Sequence, residues 1–169
     1  MTPTPGQTIG PFFGFALPYD GDSELVPPTR PDAIRLHGRV YDGAGDPVPD
    51  ALIELWQAAP DGSVPRAAGS LHRDGYAFTG WGRAATDRTG HYQFSTLRPG
   101  GVAPSAQPFF GITVLARGLL DRLFTRAYLP GAAPAQWPSL AATADDRGFV
   151  FDIRLQGEGE TVFLSYAQD

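Results

Sequence analysis

IRLHGRVYDGAGDPVPDALIELWQA, residues 34–58, decides the fold. In IRLHGRVYD the side chains alternate. Ile34, Leu36 and Val40 point one way, and Arg35, His37, Arg39 and Tyr41 point the other. A period of two is the signature of a half-buried strand. DGAGDPVPD then gathers Gly, Pro and Asp into a turn. ALIELWQA, 51–58, is a second strand with apolar residues on both faces, which suits a strand covered on both sides.

The same grammar runs outward. GHYQFSTL (90–97) and GFVFDIRL (148–155) alternate, the latter with Phe149, Phe151, Ile153 and Leu155 inward. FGITVLAR (110–117) and RLFTRAYL (122–129) form a pair joined by GLLD, and TVFLSY (161–166) follows the QGEGE turn and closes the sheet. Residues 59–88 are a Gly-rich excursion carrying Trp81, and 130–147 a Pro/Ala-rich loop with a helical turn near Ala141. Seven strands and no amphipathic helix predict an all-β fold: an antiparallel β-sandwich of about seven to eight strands with long loops. Residues 1–32 are Pro-rich and read as an extended N-terminal arm. Its Phe12, Phe13 and Phe15 need cover, so the arm is expected to pack on a partner subunit while 33–169 form the sandwich.

The bulk numbers exclude several classes. The chain has 169 residues, the size of one domain. It has no cysteine, which removes disulfides, zinc–thiolate sites and thiol nucleophiles. Its 13 basic residues, all arginine, face 18 acidic ones, giving a net charge of −5 and no basic footprint for nucleic acid. Without lysine there is no Schiff-base or P-loop chemistry. No apolar run approaches the roughly 20 residues of a membrane span. MTPTPGQTIG has neither the basic nor the apolar region of a secretory signal, so a cytoplasmic setting is expected.

No self-contained catalytic set stands out. His37 and His91 fall on outward strand positions and His72 in a loop, with no HxH or HxxxH spacing. No GxSxG turn marks a nucleophile, and neither Ser70 nor Ser95 has an activating context. Asp145, Asp146, Glu158 and Glu160 read as solvated turn charges. A binding module of the transthyretin-like sandwich type or a subunit of something larger fits better than a free-standing enzyme.

Five segments together resemble the intradiol ring-cleavage dioxygenases: TPGQTIGPFFGFAL, LHGRVYDGAGDPVPDALIELWQAAPDG, GWGRAATDRTGHYQFSTLRPG, ITVLARGLLDRLFTRAYLPG and FDIRLQGEGETVFLSY. They cover nearly the whole chain, and QTIGPFF and FDIRLQGEGETVF are typical of the α chains of the two-subunit type. The resemblance implies Fe(III) held by two tyrosinates and two histidines of a β subunit, not by this chain. It implies cleavage of protocatechuate with O2 to 3-carboxy-cis,cis-muconate on the β-ketoadipate route, in a higher-order (αβ)n assembly. At the ligand positions this chain carries Val64, Val102, Phe109 and Gly111, the last two to within one residue, so no metal is expected here. Ala106–Gln107 replace the arginine before the histidine run. The resemblance also implies that Thr8, Gly10, Pro11 and Phe12 of the arm, with Arg117 of the LARG turn, complete the β subunit's substrate pocket. Where the family can carry tyrosine, Phe12 has no hydroxyl. A single-chain dioxygenase would need Tyr76, Tyr92, His72 and His91, none of them at a family ligand position.

Overall fold

A computed structural model describes residues 10, 12–66 and 73–165. Its strands are β1 (Ile34–Tyr41), β2 (Leu52–Gln57), β3 (Trp81–Ala85), β4 (His91–Thr96), β5 (Phe109–Leu115), β6 (Leu123–Tyr128), β7 (Thr143–Ala144), β8 (Gly148–Val150) and β9 (Ile153–Arg154). A short helix α1 (Phe13–Ala16) precedes them, and a 3-10 turn (Pro138–Leu140) sits where a helical turn was expected. One sheet runs β4-β1-β8-β7, with β9 also on β1; the other runs β3-β2-β5-β6.

Alternation places the core between the sheets. Leu36 and Val40 of β1 and Tyr92 and Phe94 of β4 face Ile53 and Leu55 of β2 and Phe110, Ile112 and Val114 of β5, all buried. The intervening residues of β2, β5 and β6 share the outer face of the second sheet. Register sets Trp56, Gly111 and Arg126 side by side across its three central and edge strands.

The structure departs from the expected pattern in four places. The first sheet is mixed, because β1 pairs β8 and β9 in parallel. GFVFDIRL is two strands rather than one. Phe151 N–H still donates to His37 O at 2.8 Å, but the Phe151 carbonyl turns to accept the Tyr92 hydroxyl at 2.5 Å. Arg39 N–H takes Asp152 Oδ1 instead of a ladder carbonyl, so the ladder breaks there. The Gly-rich excursion hides β3, which two glycines obscure in the sequence. It pairs with β2, and Arg83 bridges to Glu54 at 2.6 Å. Finally, residues 161–165 form no strand. They run beside β6 with few bonds, such as Leu164 N–H to Phe124 O at 2.7 Å.

Part of the expected arm packs on its own chain. Leu25 and Val26 are buried, both N–H groups donate to Ser95 O, and Ser95 N–H returns to Ser23 O. Phe13 is buried too, so only Phe12 and Phe15 of the three phenylalanines stay in solvent, at 78% and 86% exposure. No helix among the described residues is long and apolar enough to cross a membrane.

Candidate functional site

Two regions hold the residues singled out above. The first is a cavity of about 460 Å³ on the outer face of the second sheet. Val64, Val102, Phe109 and Gly111 all line it, with Trp56 and Arg126 beside them. Its floor is low because Gly111 lacks a side chain between Trp56 and Arg126. The Arg126 guanidinium lies 4.4 Å over the Phe109 ring and 3.3 Å from the Tyr128 hydroxyl. A ferric ion needs hard anionic oxygen or imidazole donors. Valine, phenylalanine and glycine offer none, and the adjoining cation repels a metal, so these residues do not fit iron. Among the described residues no group of three or more His, Cys, Asp or Glu is placed to hold a metal ion.

Tyr92 and Tyr76 do not make good that loss. Tyr92 is in the core, its phenol raised well above the ordinary tyrosine range by burial, and it keeps its proton to donate to Phe151 O. Tyr76 is on the surface. His72 and Ser70 lie outside the described residues.

The second region is at the other end of β5. From Gly111 to Arg117 an extended chain travels about 20 Å, so Arg117 does not reach the cavity of its own chain. Arg117 is 67% exposed, and its Nη2 pairs with Asp50 Oδ2. The arm arrives at the same place: a methyl group on Gly14 of α1 would stand 3.7 Å from Asp50 O. Gly10 takes the left-handed conformation at φ 77°, and Phe12 heads α1 with its ring in solvent. Thr8 and Pro11 lie outside the described residues. Asp50 was not singled out from the sequence. Its only signal there is an Asp closing a Pro-Val-Pro turn, a residue that tolerates left-handed backbone.

A third grouping replaces the expectation of isolated surface histidines and solvated turn charges. Asp145 Oδ2 lies 2.8 Å from His37 Nε2 and 3.3 Å from Arg35 Nη2, and His37 Nδ1 lies 3.4 Å from His91 Nε2. The His37 hydrogen bond, helped by the Arg147 N–H, holds the Asp145 carboxyl well below the usual carboxylate range. Burial, then His37, holds His91 below the ordinary imidazole range. Both shifts favour the folded state at higher pH. The Asp145 contribution is complete above about pH 5, where the unfolded carboxyl is almost fully ionised, and is lost as pH falls through the lower folded value. The His91 contribution fades as pH falls below about 6.5. Asp145→Asn is therefore expected to flatten the loss of stability below about pH 5 and leave the His91 window in place. Denaturant midpoints from pH 3 to 7 check this, and parallel curves for the two proteins would contradict it.

A family profile described as Dioxygenase matches residues 10–122. The chain is 33% identical to the protocatechuate 3,4-dioxygenase α chain of Burkholderia cepacia, over 95% of this chain and 96% of that one. It is 34% identical to the β chain of the same enzyme from Burkholderia cepacia, over 74% of this chain and 55% of that one. Among solved structures, the dioxygenase domain of a dioxygenase–carbohydrate-binding fusion from Streptomyces sp. SirexAA-E superposes with a TM-score of 0.61 at 25% identity. That match covers 92% of this chain and 99% of that domain.

Proposed function

The chain belongs to the intradiol dioxygenase family, and from that premise we propose that it is the non-catalytic α subunit of a protocatechuate 3,4-dioxygenase. In this reading the Fe(III) is held by the β subunit, which cleaves protocatechuate with O2 to 3-carboxy-cis,cis-muconate. One observation carries the reading: Val64, Val102, Phe109 and Gly111, which the resemblance sets at the family's metal positions, line one cavity, and none has a side-chain donor atom.

What the chain contributes lies at the opposite end of β5. Arg117 and α1 project from the body there, with Phe12 and Phe15 presenting apolar surface that a partner would cover. Protocatechuate is a planar ring with a carboxylate. The arm, Thr8 to Phe12, supplies backbone N–H groups and apolar surface to wall the ring, and Arg117 offsets the carboxylate charge. This chain moves no proton and holds no oxygen; it shapes and charges its partner's pocket. A cytoplasmic setting and a repeated αβ assembly belong to the same reading.

The test is iron content and protocatechuate-dependent oxygen uptake, for the chain alone and co-expressed with a β-type partner. Alone it is expected to be colourless, iron-free and inactive. With the partner it should gain a red-brown tyrosinate–iron colour and turnover. Bound iron and turnover in the lone chain would overturn the reading.

A further inference from the structure

We propose that Asp50 is a positioning residue: it orients the Arg117 guanidinium beside the arm. The proposal rests on the reading of Arg117 given above.

Three observations converge on Asp50. Its φ is 63°, and among the described residues it is the one non-glycine at positive φ. An L side chain in that region is strained, and such strain persists where the surroundings over-determine it. Here they do. Buried Thr86 clamps the turn from both sides: its hydroxyl donates to Val48 O at 2.9 Å and accepts from Ala51 N–H at 2.8 Å. Thr86 N–H donates to Ala51 O at 2.8 Å. With both flanks fixed, the Asp50 Cα–Cβ bond is held in place, and Arg117 meets the carboxylate it carries. The Asp50 carbonyl faces Gly14 of α1. One strained residue thus pairs with Arg117 and stands close to α1.

The physical need is clear. A largely exposed arginine on a long stem samples many rotamers and must give them up to bind a carboxylate. Asp50 removes that freedom beforehand, as preorganisation requires. It also lends a negative charge, which by itself would weaken attraction for a second carboxylate. At so exposed a site water screens that charge, so orientation is the larger effect.

The test uses the assembled αβ enzyme with Asp50→Asn, Asp50→Gly and Arg117→Ala, scored by oxygen uptake on protocatechuate and on catechol, which lacks the carboxylate. Asn and Gly both accept left-handed backbone, so the turn is kept while the carboxylate is lost. Both variants are expected to raise KM for protocatechuate about fivefold, the range of an exposed ion pair. The change should fall on KM rather than kcat and should be absent with catechol. Adding Asp50→Asn to Arg117→Ala should change nothing further. If Arg117→Ala raises KM but the Asp50 variants leave it unchanged or lower it, the proposal fails and the α-subunit reading stands. An equal rise for both substrates also overturns it, because that marks general damage to the arm. If Arg117→Ala has no effect, the role of Arg117 fails and that of Asp50 with it.

Discussion

Phe110→Ala is expected to destabilise the chain by about 3–5 kcal/mol, the range for emptying a buried phenylalanine site. Phe110 has no exposed surface and stands mid-sandwich on β5. Its ring packs on Phe149 of the opposite sheet, centroids 6.1 Å apart. Both neighbouring strands hold β5 in register, Gln57 on one side and Ala127 on the other. The sheet therefore does not collapse into the space a missing ring leaves, and the cavity cost adds to the lost transfer energy. For a chain of this size the melting temperature should fall by about 10 °C. Denaturant unfolding at an unchanged slope measures it. A loss under about 1 kcal/mol would mean that the two sheets do not pack there as described.

Gly38→Ala is the second large effect, and its cause is opposite: crowding rather than a void. A methyl group at Gly38 would fall 1.9 Å from Phe151 O and 2.6 Å from its carbonyl carbon. Both are backbone atoms, so no side chain is available to swing aside. The segment between β8 and β9 must move off β1. That movement strains the Phe151 N–H bond to His37 O and the Tyr92 hydroxyl bond to Phe151 O, both short and shielded. Overpacking and two weakened buried hydrogen bonds together should cost about 3 kcal/mol. Gly111→Ala is the control on the other sheet. There the nearest atom to a new methyl is Trp56 O at 3.2 Å, a contact a slight shift relieves, and the cost should stay below about 1 kcal/mol. Equal losses for the two variants would contradict the close crossing at Gly38.

The proposed function and these stability effects meet on β5. Its core-facing residues hold the sandwich, its outward residues line the cavity, and its far end carries Arg117. In the proposed non-catalytic role the chain still needs β5 intact. Destabilising Phe110 should therefore lower the amount of assembled enzyme before it alters turnover per iron.

Much of this was legible in the residues alone, and the reason is local. Period-two alternation marked β1 and β4, and short apolar runs bounded by turns marked β2, β5 and β6, so each could be read segment by segment. The absence of donors at Val64, Val102, Phe109 and Gly111 is likewise a property of those side chains wherever they lie. What only the tertiary structure decided depends on partners far apart in the chain. Alternation names a buried face but not a neighbour, so the parallel pairing of β8 and β9 with β1 was not visible. Nor was the break that Gly38 and the Phe151 carbonyl impose on one continuous apolar pattern. His37 and Asp145 are separated by 108 residues, and Asp50 and Arg117 by 67. His37 and Asp145 read as ordinary surface groups, and Arg117 had no visible partner in Asp50, because an ion pair is a property of two positions and a sequence pattern describes one.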